Sequence, residues 1–217
     1  MTDLELLRSL VRSAQVSDCL DAVGLRHQNL APEIVPLDPG MRMVGRAFTV
    51  RAELASSVPE RPYTGLLKAL DALDRDDIYV MPSPDGATML GSCWGELLST
   101  WAMSRGCAGM VTDGAVRDVD QVRALGYPTF AVGTTPRDIN GRYEVIEHQV
   151  PVLLSGVLVH PGDLIVGDVD GVVVVPQSVE DEVVAAAVAK ASGENSVRDA
   201  ILGGMTPSQA FDEYGIL

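Results

Sequence analysis

Apolar positions recur along this chain at two different periods, and the switches between them lay out its elements. Leu4, Leu7, Leu10 and Val11 fall at helical spacing behind a Thr2/Asp3 cap. Ser17 restarts a helical turn that Gly24 ends, so residues 2–24 predict two short helices. Residues 43–51 change to strand-like alternation rich in β-branched side chains, with Gly45 read as a bulge. Helical spacing returns over residues 64–74, and a strand follows over 77–81.

The middle of the chain keeps this rhythm. Residues 87–90 read as a short strand ending in Gly91-Ser92. Residues 96–105 read as a helix that buries Leu97, Leu98, Trp101 and Ala102 and stops at a left-handed Gly106. A strand over 109–112, a helix over 119–125 stopped by Gly126, and a strand over 129–132 complete a series of βαβ units, which implies a partly parallel sheet. Beyond residue 150 the character changes. Val-rich runs over 150–159 and 164–175 are punctuated by Pro161-Gly162-Asp163 and Asp170-Gly171, a hairpin signal in which Asp168 and Asp170 fix the turn. A long helix starts at Val179, capped by Ser178 with Asp181 three residues on, and is expected to break at Ser192-Gly193. Thr206-Pro207 opens a last short helix. The reading is one mixed α/β domain over residues 1–217: N-terminal helices 2–24, an α/β core 43–176 and a C-terminal helical segment 178–217.

Composition narrows the function classes. Hydrophobic residues make up 47% and charged residues 21%, which suits a packed globule rather than a disordered chain. Apolar runs stay well short of the ~18 residues that span a bilayer, so no membrane partner is expected. The start, Met1 to Glu5, lacks the basic and apolar pattern of a secretory leader. Cys19, Cys93 and Cys107 show no C-x-x-C spacing, which argues against a disulfide framework or zinc knuckle and for a reducing cytoplasm. Sixteen Lys and Arg against thirty Asp and Glu give a net charge of -14 without a basic stripe, so nucleic acid is not an expected partner. The same field repels small anions, so an acidic ligand needs local capture by an arginine, backbone amides or a cation.

Two segments meet that condition. Gly95 precedes a helix that begins Glu96-Leu97-Leu98, whose first amides lack partners within the helix and suit a carboxylate. The alternative makes Gly95 a turn glycine and Glu96 a first-turn acid favoured by the helix dipole. Asp113-Gly114-Ala115-Val116-Arg117-Asp118 lies at the C-terminal end of an expected parallel strand, where open α/β sheets bind ligands. Arg117 can grip a carboxylate with its fork, and Asp118 can ligate a hard divalent ion beside it. Alternatively Asp118 caps the helix at Val119, and Arg117 makes a surface ion pair. Asp113-Gly114 reads as turn chemistry. His27, His148 and His160 are too scattered for a triad or metal set, Cys93 and Cys107 read as packing residues, and Trp94 and Trp101 either pack in the core or line a pocket or interface.

Gly95-Glu96-Leu97-Leu98, followed after twenty intervening residues by Arg117-Asp118, resembles the acid-x20-Arg-Asp signature of the pyruvate aldolases that act on 4-hydroxy-4-methyl-2-oxoglutarate and 4-carboxy-4-hydroxy-2-oxoadipate. That family includes the related regulator of ribonuclease activity A. The similarity runs from Ser17-Asp18 through Pro161-Gly162-Asp163-Leu164 and Asp170-Gly171-Val172-Val173-Val174-Val175-Pro176 to Glu194 and the Tyr214-Gly215-Ile216-Leu217 end. A methyltransferase label often given to such chains finds no Gly-x-Gly-x-Gly loop here. The resemblance implies an RraA-like, swivelling β/β/α-type sandwich with a mixed sheet, assembled as homotrimers or homohexamers with sites at subunit interfaces.

It also implies Mg²⁺ or Mn²⁺ and a small oxo-acid substrate. Asp118 would bind the metal directly, while Glu96 and, from a neighbouring subunit, Glu194 would hold metal-bound waters. Arg117 and the amides of Gly95, Glu96, Leu97 and Leu98 would hold the pyruvyl group, with Arg117 and Glu96 catalytic. Family aldolases often carry Asp where this chain has Glu96, which bears on substrate preference. On this basis the expectation is a class II, metal-dependent aldolase releasing pyruvate, with oxaloacetate decarboxylase activity, its selectivity set by residues 52–64 and 134–148. The alternatives are a non-catalytic regulator that docks on another protein, and a lyase or hydratase acting on a sugar-acid-like substrate.

Overall fold

The computed structural model describes residues 2–216; Met1 and Leu217, the last residue of the family-like C-terminal end, lie outside them. Its spine is β2 (Met43–Leu54), which pairs in parallel with β3 (Asp77–Val80), while β5 (Gly109–Val111) and β7 (Thr129–Ala131) continue the parallel run. A short antiparallel strand, β1 (Val35–Pro36), closes that edge. On its other side β2 pairs antiparallel with β12 (Leu164–Asp168), which forms a hairpin with β13 (Gly171–Val175) around Val169-Asp170. The expected mixed sheet and the Asp-Gly hairpin are therefore present.

Alternation along the strands separates two buried faces, as a period of two requires. Phe48, Val50, Tyr79, Met81 and Met110 point to one face, under α3 (Thr64–Asp71), α4 (Glu96–Ser104) and α5 (Val119–Leu125). On the same face, Val44, Leu164 and Val166 continue under α1 (Leu4–Leu10), α2 (Ser13–Ala22) and the N-terminal half of α6 (Glu180–Leu202). Ala47, Ile78, Val80, Val111 and Phe130 point the other way. They meet the inward side of a separate ribbon, β10 (Val152–Leu154) and β11 (Val157–Val159). A third small sheet is wholly parallel and runs β4 (Ser92–Trp94), β6 (Ala115–Val116), β8 (Gly133–Thr134).

Several expectations need correction. Gly45 is no bulge: it sits in regular register opposite Ile165, and a Cβ there would lie 2.3 Å from the Asp76 carbonyl oxygen. The register shift of β2 falls instead between Arg51 and Ala52. Residues 87–90 are not a strand. Gly86–Thr88 form a 3-10 turn and Met89 is left-handed, because Asp85 accepts hydrogen bonds from Leu90 N and Ser83 Oγ and curls the segment back. The run over 150–159 is a hairpin in itself, folded at Ser155 and Gly156, both at positive φ. Residues 143–148 form a strand, β9 (Tyr143–His148), against β2, where a loop had been expected. The long helix α6 starts one residue later, with Val179 as its cap and no side-chain bond from Ser178, and it runs through Ser192-Gly193 unbroken. The last helix, α7 (Pro207–Tyr214), has the expected Thr206 cap, with Gln209 closing a reciprocal capping box. Asp168 does serve the hairpin through Asp170 N, but it also accepts from Ser13 N at 2.8 Å and Ser13 Oγ at 2.6 Å, fixing the start of α2.

Candidate functional site

Sequence spacing brings the two candidate segments together. Strands β4 and β6 are parallel neighbours, and Arg117 N donates to Trp94 O at 2.9 Å, so residues just past the two strands lie side by side. Gly95 caps α4 in an extended conformation. A Cβ on Gly95 would stand 2.7 Å from Asp118 Oδ2 and 3.1 Å from Arg117 Cγ. Gly95 is therefore required by close approach, not by a turn.

The ionisable groups at this place are committed to one another. Asp118 has left-handed backbone at φ 56, uncommon for a residue with a side chain, and it caps α5 without a side-chain bond to that helix. Its carboxylate turns back to α4: Oδ2 accepts from Glu96 N at 3.2 Å and lies 3.5 Å from Arg117 Nε. Arg117 Nη1 reaches Asp138 Oδ1 at 3.2 Å. The Tyr63 hydroxyl donates to the other oxygen of Asp138, and that bond raises the Tyr63 pKa. Glu96 bends along its own helix, accepting from Thr100 Oγ1 at 2.7 Å. Asp113 was expected to fix its own turn; its carboxylate instead accepts from Ser83 N and Ser155 N on two distant loops. Cys93 is buried beneath the site, and burial pushes its thiol up to about 12, which leaves no thiolate near neutral pH.

Beside this cluster opens a cavity of about 440 Å³ between α3 and α4. Arg117 and Asp138 stand in its wall with Gly95, Leu97 and Leu98, all but Asp138 being residues singled out from the sequence. The expected buried face of α4 is only half buried: Leu97 is 75% exposed and Trp101 40%, while Leu67 on α3 facing them is 49% exposed. Both tryptophans line the cavity: Trp94 is buried core beneath it, and Trp101 is part-exposed and anchored through Nε1 to Leu70 O at 2.9 Å. Tyr63 and Asp138 fall within the segments 52–64 and 134–148 expected to set selectivity but were not singled out there, and Asp71 was missed altogether. Only the left-handed Tyr63 before α3, at φ 64, is an unusual feature, and it is a backbone one.

Glu194 is elsewhere within the chain. It accepts from Gln15 Nε2 at 2.7 Å across the α2–α6 packing and borders a separate depression with Val197 and Ile201. The expected divalent-metal centre is not supported by the donors present. Among the described residues, no three His, Cys, Asp or Glu side chains are grouped to hold a metal ion. The intended direct ligand, Asp118, spends its carboxylate on a helix amide and Arg117. The expectation of Mg²⁺ or Mn²⁺ is corrected on the chemistry of this donor set.

A family model described as RraA-like, Aldolase/RraA, matches residues 13–174. A solved relative, Streptomyces coelicolor RraAS2, titled an unusual member of the RNase ES inhibitor RraA protein family, is 36% identical. The match covers 91% of this chain and 97% of that one at a TM-score of 0.77. The RNA-processing inhibitor RraA from Thermus thermophilis is 26% identical, covering 74% and 92% of the two chains at a TM-score of 0.59. A protein of Halalkalibacterium halodurans, provisionally named 4-hydroxy-4-methyl-2-oxoglutarate aldolase, is 32% identical over 91% of this chain and 88% of its own. Protein DlpA of Legionella pneumophila is 32% identical over 211 residues, and this chain spans about a third of its length. The solved relatives carry the expected sandwich. One of them is named as an RNA-processing inhibitor and the other as an unusual member of such an inhibitor family; with no ligand cluster among the described residues, they correct the reading as a metal-dependent aldolase or decarboxylase yielding pyruvate. Among the described residues, no helix is long and apolar enough to cross a membrane.

Proposed function

The chain belongs to the RraA-like, Aldolase/RraA family, and from that premise we propose that it is a non-catalytic regulator that docks on another protein, an RNA-processing enzyme of the RNase ES kind. One observation carries this reading: Leu67, Leu97 and Trp101 stand exposed around a cavity whose arginine, Arg117, is already paired with Asp138 and Asp118. Exposed, grouped apolar side chains of this size mark interaction surfaces more often than reaction centres. The Thermus relative, an RNA-processing inhibitor, and the Streptomyces relative, an unusual member of the same inhibitor family, support it.

Charge supports the choice of partner. At -14 the protein cannot compete for RNA itself, whereas an enzyme that grips RNA presents basic surface, which an acidic protein meets with favourable long-range attraction. In this reading Arg117 and Gly95–Leu98 shape the docking mouth rather than hold a substrate. We take the working form to be a homotrimer or homohexamer in the cytoplasm. The outward pair Leu153 and Leu158, directly opposed across the β10–β11 ribbon and 63% and 53% exposed, supports self-assembly.

The test is an RNA-cleavage assay with a purified ribonuclease of the RNase ES type and a fluorescent RNA. Stoichiometric addition of this protein is expected to slow cleavage, and Trp101→Ala to relieve the inhibition by about tenfold or more, as loss of an interface anchor does. Full cleavage at tens of micromolar protein, with no complex on size-exclusion chromatography, would overturn the reading.

A further inference from the structure

Independently of the docking reading, we infer that Asn140 is a site of spontaneous modification, which loses its side-chain amide in the folded protein and becomes aspartate or isoaspartate. Asparagine is among the thermolabile residues, and the fold treats its three copies in this chain differently. Asn29 Nδ2 donates to Ser17 Oγ at 3.0 Å, and Asn195, within α6, accepts at Oδ1 from Arg198 Nη1 at 2.7 Å. Asn140 Oδ1 has no hydrogen-bond partner in the protein. Asn140 is also the one asparagine followed by glycine.

The turn keeps that glycine in place. Arg142 N donates to Ile139 O at 2.9 Å across Asn140 and Gly141, and Gly141 is left-handed at φ 69. A Cβ on Gly141 would stand 2.7 Å from Val58 Cγ2, so the position refuses a larger residue. Lacking a side chain, Gly141 leaves its own nitrogen unshielded, and among the described residues that nitrogen donates to no backbone carbonyl. The reaction balances with water as its only co-reactant. Gly141 N loses its proton to solvent and bonds to Asn140 Cγ, the Cγ–Nδ2 bond breaks, and ammonia leaves with a proton from solvent. Water then opens the cyclic imide at either carbonyl. The carboxamide borders a cavity of about 40 Å³, which gives it room to turn and admits that water. One product places a carboxylate on the cavity that Arg61 and Glu144 also line. The other adds a methylene to the main chain just past Asp138, the partner of Arg117.

The experiment ages the folded full chain in mildly alkaline and in mildly acidic buffer, digests it in acid and follows the peptides by mass spectrometry. The peptide holding residue 140 is expected to gain about one dalton and to split into two chromatographic peaks. The gain should be about tenfold faster or more in the alkaline buffer, because proton loss precedes attack. Peptides holding Asn29 and Asn195 should keep their mass. Asn140→Gln, whose longer side chain must close a larger ring, should abolish the gain. An amide at residue 140 that survives alkaline ageing of the folded chain, equal gains at Asn29 or Asn195, or the same rate in both buffers would each overturn the assignment.

Discussion

Gly95 leaves the space that the Asp118 carboxylate fills: a methyl group on Gly95 would lie 2.7 Å from Asp118 Oδ2. Gly95→Ala should therefore push the Asp118 carboxylate off Glu96 N and cost about 1–3 kcal/mol, the usual range for overpacking. Urea unfolding of the variant measures the loss. An unchanged midpoint would show that the loop around Asp118 yields freely.

Directly beneath, Trp94 Nε1 donates to Ser99 Oγ at 2.8 Å, and Ser99 Oγ donates to Gly95 O at 3.0 Å, with Ser99 fully buried. Ser99→Ala leaves an indole N–H without a partner in the core, at a cost of about 1–3 kcal/mol. Near-ultraviolet circular dichroism should change with it, because the Trp94 ring loses its tether.

Asp77 responds to pH in the unusual direction. Burial first, then the neighbouring Asp74 and Asp76 carboxylates, raise its pKa to about 6. A raised folded-state pKa means the favourable contribution is complete below the unfolded value of ~3.9 and fades as pH climbs through about 6. Asp77→Asn, which keeps an acceptor for Asp74 N, should therefore stabilise the protein at pH 7.5 by about 1 kcal/mol, after allowance for partial solvation. The gain should vanish near pH 4.

Glu180 behaves oppositely. The hydrogen bonds from Arg46 hold its carboxyl below the usual range, with burial opposing and Thr2 assisting. A depressed pKa contributes stability above the unfolded value of ~4.3 and loses it as pH falls through the folded one. Glu180→Gln should cost about 1–2 kcal/mol at neutral pH, since the pair is only partly shielded, and its stability should fall less steeply than that of the parent between pH 5 and 3. Denaturation at a series of pH values separates the two slopes.

Much of this architecture was readable from residue spacing. The alternation through Ile78, Tyr79 and Val80 sorts side chains onto two buried faces, and Asp170-Gly171 marks a real hairpin. The adjacency of Gly95 to Arg117-Asp118 is implied by the family resemblance, whereas the short parallel strands that produce it are not expected from spacing. What spacing hides is the direction of a short side chain. Asp118 reads as a ligand until its left-handed backbone swings the carboxylate onto Glu96 N, and Leu97 reads as core until α4 turns it outward. Asp138 and Tyr63 join the site through contacts between distant elements, which local patterns do not encode.

Strand β2 borders β3 and β12 in its first half and β9 in its second, so one stretch of backbone is stitched into nearly every layer. Freeing the first half breaks ladders on both of its sides at once, so local loosening there costs more than at a sheet edge. Amide protons between Val44 and Val50 should accordingly exchange only when the entire molecule opens, making that segment the slowest clock in the protein.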